Sequence, residues 1–272
     1  MTTKPLGNNV QLPAVQAVPD ISSIIARSAE LTTRTADLLD ISKLAEPCCM
    51  CAGWGRCHAT LLMAMSFENT GPLQMHSRSL SMGEHLFDEG DEAQSVYVVK
   101  AGSVKASLMS AEGNEQVVSF YLPGELLGLD ALLGTRLHGS FVMALEDTVV
   151  CALPIAHVEM FVNHTQRGLR WLLRLAGREI VRYQHTQMML NRMKAESRLS
   201  YFLLDLSRRF SERGYSAREF NLSMSRRDIG NHLGLSFETV SRLMTRFQKD
   251  GLLKVNHHRG ITILDAARLA IR

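Results

Sequence analysis

The sequence has no apolar run long enough (about 18 residues) to cross a bilayer. No ordinary membrane span is therefore expected. Residues Met1 to Asp20 lack a basic stretch followed by an apolar one, so no secretory leader is expected either. There is no glycine-rich phosphate loop and no paired-histidine motif of the metalloprotease kind. His138, His157, His164 and His185 are scattered and read as solvated or capping residues. With no substrate constellation, an enzyme is not expected. Net charge is scarce as well. Thirty Lys and Arg against 27 Asp and Glu leave only +3 over 272 residues. As an average, that argues against a strongly basic nucleic-acid binder. Apolar residues are plentiful at 46%, which excludes a disordered chain and allows one large or two medium domains.

The average hides a division. From Glu196 to Arg272 there are 14 Lys and Arg against 8 Asp and Glu, or +6, which leaves −3 for residues 1–195. All five cysteines lie in the acidic part. Without a leader they point to a reducing cytoplasm, where clustered cysteines mean metal or redox chemistry more often than disulfides.

Along the chain, residues 1–46 are punctuated by Pro5, Pro13 and Pro19 and read as a flexible extension. Residues 47–160 hold a cysteine-rich loop, then short apolar runs broken by glycines, such as Ser95–Val99, Gly102–Lys105 and Gln116–Phe120. That spacing predicts a β-sandwich or barrel. Residues 161–195 predict one long helix. Leu169, Leu173, Ala176, Ile180, Tyr183, Gln187 and Leu190 alternate steps of four and three, a heptad seam suited to self-association. Packing on the chain's own barrel is the alternative.

Residues 196–272 predict a winged helix–turn–helix. Ser225 and Asp228 suit a helix start, Gly234 a sharp turn, and Ser236 a second start. In the second helix Leu235, Val240 and Leu243 face inward, and Phe237, Glu238, Ser241 and Arg242 gather at the exposed N-terminal side. Such a helix presents its first residues to base edges in double-stranded DNA. Arg242 suits guanine, Glu238 the cytosine amino group, and Ser241 either a base or a phosphate. Arg226, Arg227, Arg246 and Lys249 are candidate phosphate contacts. Leu253–Val255 and Ile261–Leu264 form the wing.

Cys48, Cys51 and Cys57 are spaced C-x2-C-x5-C, close enough to wrap one soft metal centre. A fourth ligand must come from elsewhere. Cys151 is the distant candidate, with His58 and Cys49 local competitors. Zinc, an iron–sulfur cluster and metal-free thiols all remain open on spacing alone.

The order of these parts resembles the cyclic-AMP receptor superfamily, and more closely its oxygen-responsive branch, the fumarate–nitrate reduction (FNR) regulators. The resemblance covers about Pro47 to the C-terminus. It rests on the cysteine spacing with Cys151, on Gly83–Gly90, on Tyr97 with Gly102–Val104, and on Glu238-Thr239-Val240-Ser241-Arg242. It implies an α+β fold: an N-terminal β-roll of the cyclic-nucleotide-binding jelly-roll type, a long dimerisation helix and a C-terminal winged helix–turn–helix. It further implies that Cys48, Cys51, Cys57 and Cys151 ligate a 4Fe–4S cluster, with Cys49 a spare thiol. A cluster-bearing homodimer would bind a palindrome like TTGAT-N4-ATCAA and recruit RNA polymerase. Oxygen would convert the cluster to 2Fe–2S, loosen the dimer and release DNA. Glu112, Gly113, Asn114 and Glu115 match a loop that such activators present to polymerase.

Three departures accompany the resemblance. His138-Gly139-Ser140 stands where the nucleotide-binding branch has an Arg-Ser pair; Glu125 is kept, but no cyclic nucleotide is expected. Tyr183 stands where the FNR-like helix usually has an acid, which removes a like-charge repulsion and would ease dimerisation without the cluster. Residues 1–46 have no counterpart. The rival readings are a same-fold regulator controlled by a small ligand or zinc, and an iron–sulfur electron carrier.

Overall fold

The structure, a computed structural model, describes residues 75–256 and 259–272. The N-terminal extension and the loop bearing Cys48, Cys51 and Cys57 lie outside the described residues. The expected roll spans eight strands: β1 (His76–Leu80), β2 (His85–Phe87), β3 (Ser95–Ala101), β4 (Val104–Met109), β5 (Glu115–Tyr121), β6 (Leu126–Leu127), β7 (Phe141–Ala144) and β8 (Thr148–Pro154). They form two four-stranded antiparallel sheets, ordered β1-β8-β3-β6 and β2-β7-β4-β5. This interleaving is a jelly roll. Leu80, Leu86, Phe87, Val99, Val104, Leu127, Val142 and Val150 fill the space between the sheets.

Helix α1 (Asp130–Leu133) follows β6, and α2 (Ile155–His164) follows β8. Helix α3 (Gln166–Arg192) has 27 residues and matches the expected long helix. Its N-cap is Thr165, whose hydroxyl accepts from the Gly168 N–H at 2.9 Å. One face of α3 is used at home. Trp171 and Leu175 join Ile155, Val158 and Phe161 of α2 over Val96, Val98 and Leu153 on the outer face of the first sheet. Near the other end, Met189 is 2% exposed and belongs to the C-terminal core.

That core forms from α4 (Ala195–Glu212), α5 (Arg226–Leu233), α6 (Phe237–Lys249), the wing strands β9 (Glu219–Asn221), β10 (Leu253–Val255) and β11 (Gly260–Ile263), and α7 (Ala266–Ala270). The wing sheet runs β10-β11-β9, so it has a third strand that the sequence pattern did not reveal. The apolar cluster of this unit continues onto the roll through Val117, Phe120 and Leu122.

Candidate nucleic-acid interface

The helix–turn–helix is built from local chemistry. The Ser225 hydroxyl accepts from the Asp228 N–H at 3.1 Å, and the Asp228 carboxylate accepts from the Ser225 N–H at 3.0 Å, a complete capping box. Helix α5 ends at Gly234, whose φ of 62° lies in the left-handed region. The Leu235 N–H then donates to the Gly230 carbonyl at 2.8 Å. A side chain at Gly230 would meet the Leu235 carbonyl at 2.6 Å, so the tight turn requires glycine at that position. Ser236 caps α6, accepting from the Thr239 N–H at 3.2 Å.

Val240, Leu243, Met244 and Phe247 bury one face of α6. The other face carries the expected readers. Glu238 and Arg242 are exposed and Ser241 is half-buried. Hydrogen bonds from its own backbone N–H and from Ser236 hold the Glu238 carboxyl below its usual range. A shallow cleft of about 450 Å³ beside the helix is lined by Lys194, Glu196, Thr239, Arg242 and Arg246 among others. Arg246 pairs with Glu196, while Lys249 and Arg227 are exposed. Arg226 is half-buried, and burial lowers its pKa.

Two ionic clusters join this unit to the roll. In the first, Glu125 accepts from Arg209 Nε at 2.9 Å, from Arg209 Nη2 and Arg213 Nη2 at 2.5 Å each, and from the Leu122 N–H at 2.8 Å. Burial alone would raise this carboxyl. The two arginines overcome that and hold it well below the usual carboxylate range. Glu125 therefore serves an arginine pair on and just beyond α4, and its carboxylate is already fully engaged. In the second cluster, Lys105 on β4 is 4% exposed and sits 2.7 Å from Glu115 and 2.8 Å from Asp228. Burial opposes its charge, but the two carboxylates outweigh burial and raise its pKa. Asn231 adds hydrogen bonds to the backbone of Val117 and Glu115. His232 Nδ1 lies 3.1 Å from the Val117 carbonyl, and burial pushes this histidine down to about 4.

One expectation needs correction. His138 is not solvated: it is 2% exposed and stacks on Phe87 at 3.5 Å, with its backbone held between the Asp91 carbonyl and the Gly90 N–H. Glu115 is half-buried, and Lys105 and Ser107 take its carboxylate. Glu112, Gly113 and Asn114 remain exposed at that tip.

Along α3 the seam residues fall as follows. Leu169 is 49% exposed, Leu173 63%, Ile180 58% and Tyr183 60%, with Gln187 exposed and Ala176 half-buried. Leu190 differs. It is partly buried against the C-terminal core, and its carbonyl accepts from Arg198.

Cys151 lies in β8, in register with Ser77 of β1 and Val98 of β3, and is 7% exposed. Strand alternation puts it on the same sheet face as Leu153, the face that α2 and α3 cover. Met75, the first described residue, packs on that same face. Among the described residues no group of three or more His, Cys, Asp or Glu could hold a metal ion. A buried cysteine thiol is a soft donor of the kind a thiolate-held centre uses, and the other three cysteines lie outside the described residues.

Residues 77–165 match the cyclic nucleotide-binding domain family, and residues 197–271 match the Crp-like helix-turn-helix domain family. A jelly roll, a long helix and this reading head together define a class, the two-domain transcription regulators. The chain is 42% identical over 192 residues to the fumarate and nitrate reduction regulatory protein of Vibrio cholerae, covering 71% of this chain and 76% of that one. It is equally identical to the anaerobic regulatory protein of Aggregatibacter actinomycetemcomitans, covering 71% and 74%. FixK2 from Bradyrhizobium japonicum has a similar structure, with a TM-score of 0.66 at 30% identity over 72% of this chain and 96% of that one. The chain belongs to the CRP/FNR family: it is an FNR-like transcription regulator with a helix–turn–helix DNA-binding domain, not an enzyme.

Proposed function

We propose that the chain is an oxygen-responsive regulator, working in the cytoplasm as a homodimer on a palindrome like TTGAT-N4-ATCAA. Cys48, Cys51, Cys57 and Cys151 would hold a 4Fe–4S cluster, whose conversion to 2Fe–2S by oxygen supplies the signal. The observation that carries this reading is the path of α3. Its first turns pack on the sheet face that bears Cys151, its exposed stripe runs from Leu169 to Tyr183, and its end packs on the reading head through Met189 and Leu190. One rigid helix thus joins the thiol face, a self-association seam and the DNA-reading unit.

The residues divide the work. Leu169, Leu173, Ala176, Ile180 and Tyr183 bury apolar surface against a second copy, which sets two α6 helices about one DNA turn, roughly 34 Å, apart. Gln187 continues the seam on its polar side, and Leu190 couples it to the turn at Gly234. Glu238, Ser241 and Arg242 read bases; Arg226, Arg227, Arg246 and Lys249 meet phosphates. The tip at Glu112, Gly113 and Asn114 would meet RNA polymerase, with Glu115 holding the hairpin in place. Like-charge repulsion is missing at Tyr183, so the cluster-free chain would dimerise more readily than one with an acid there. No cyclic nucleotide enters this account. The relatives named for fumarate and nitrate reduction and for anaerobic regulation support the oxygen reading.

Iron and acid-labile sulfide content tests it. Cys51→Ser should carry none after anaerobic purification, while Cys49→Ser should match the unsubstituted chain. Equal content in both variants would overturn the ligand assignment.

A further inference from the structure

Phe237 is the first residue of α6 and is 52% exposed. The other described phenylalanines are buried or half-buried: Phe87, Phe120, Phe141, Phe161, Phe202, Phe220 and Phe247 are each 9% exposed or less, and Phe210 is half-buried. The ordinary structural roles at a helix start are already filled. Ser236 caps the helix. Leu235 and Val240, five apart across the cap, occupy the staple positions, and both belong to the C-terminal apolar cluster. The inward face is complete without Phe237.

Its neighbours are informative. Residues four apart share a ridge on a helix. Phe237 shares one with Ser241, and Glu238 shares the next with Arg242. These two ridges form the N-terminal reading surface, and Phe237 is its one apolar group. Around it stand Glu238, Ser241, Arg242 and the exposed Thr245, so it makes no apolar patch that would dock a protein. A lone aromatic among polar readers suits a point contact. The major groove offers one apolar point, the C5-methyl of thymine. Arg242 and Glu238 are suited to guanine and cytosine and Ser241 to polar base edges, so none of the three offers an apolar contact to a methyl group.

We infer that Phe237 is a specificity-determining residue that reads the methyl group of a thymine next to the bases read by Glu238 and Arg242. This rests on the DNA-reading assignment of α6. Shielding one methyl from water gives about fourfold preference per half-site, and about 15-fold across a palindrome.

The test replaces each thymine of a bound site by uracil, which removes only the methyl. The full chain is first used to enrich a site from random duplex DNA. Competition binding then compares thymine and uracil versions position by position. The unsubstituted chain should lose about 15-fold at one symmetric pair of positions. Phe237→Ala should bind the two versions equally, and Phe237→Leu should keep part of the preference. An unchanged thermal midpoint should accompany both variants, since the side chain is outside the core. Indifference of the unsubstituted chain to every uracil, or an undiminished uracil penalty in Phe237→Ala, would overturn the inference while leaving the DNA reading intact. Failure of the unsubstituted chain to enrich any site would overturn both.

Discussion

Replacing Glu125 by Gln should loosen the DNA-reading unit from the roll. The carboxylate carries three charged hydrogen bonds from Arg209 and Arg213, with side chains 12% and 13% exposed against 15% for Glu125. Breaking a buried ion pair by removing one partner costs about 3–5 kcal/mol, because the remaining charge stays buried. Here two cations remain, and Asp205, 3.5 Å from Arg209, compensates only in part. Gln keeps one carbonyl acceptor, which puts the loss near the lower end, at about 3 kcal/mol. In urea, slopes of about 1–3 kcal/mol per molar turn this into a midpoint shift of about 1 M or more. Unfolding should also become two-step if the roll and the reading unit separate. Adding Arg213→Met should cost less than the sum of the two single changes, since the pair is coupled. The folded carboxyl is held low, so its contribution is complete above the ordinary value of about 4.3 and is lost as pH falls through the folded value. A midpoint within about 0.3 M of the unsubstituted chain would refute the latch.

His232 should make stability fall on acidification. It stays neutral in the fold down to about pH 4, pushed down by burial and by Arg182 and Arg209 and lifted in part by the Val117 carbonyl and Asp205, whereas in the unfolded chain it takes a proton near 6.5. Between those values the unfolded state binds more protons, so about 2–3 kcal/mol should be lost as pH drops from 6.5 to 4. His232→Gln should flatten the urea midpoint over that window; an unchanged slope would contradict the burial argument. Arg242→Ala should cost about 1–3 kcal/mol at its guanine alone, read by gel-shift competition, whereas Lys249→Ala should weaken all sequences alike. Ile180→Glu should make the chain sediment as a monomer where the unsubstituted chain is dimeric, with a loss of about 3 kcal/mol or more per dimer from two exposed apolar groups and two apposed charges. Cluster-free protein that sediments only as monomer at micromolar concentration would refute the role given to Tyr183. Glu112→Ala should lower transcription activation in a purified assay and leave DNA affinity unchanged.

Features set by local chemistry were legible in the sequence. Helix α3 came from a heptad period sustained from Leu169 to Leu190, and the turn between α5 and α6 from Ser225, Gly234 and Ser236, whose capping and left-handed geometry depend on a few neighbours. The roll showed in short runs between glycines. What joins distant segments was not legible. Lys105 and Asp228 lie 123 residues apart, and Glu125 and Arg209 84 apart. Asp228 signalled only a helix start, although the same carboxylate takes a lysine from the roll. Glu125 stood out only as a residue kept from the nucleotide-binding branch, because nothing in its neighbourhood names the arginines that claim it. Strand β9 has three residues and alternates too briefly to register. His138 looked like a surface residue because the Phe87 it stacks on is 51 positions away. The cysteine spacing was plain, but of the four candidate ligands only Cys151 lies among the described residues.

The most direct test follows one anaerobic sample of the full chain as air is admitted. Absorbance near 400 nm and the anisotropy of a labelled TTGAT-N4-ATCAA duplex are recorded together. The account predicts a brown protein that binds the duplex, with colour and binding falling in step as oxygen enters. A colourless protein, or one whose DNA affinity is unchanged by air, would contradict it.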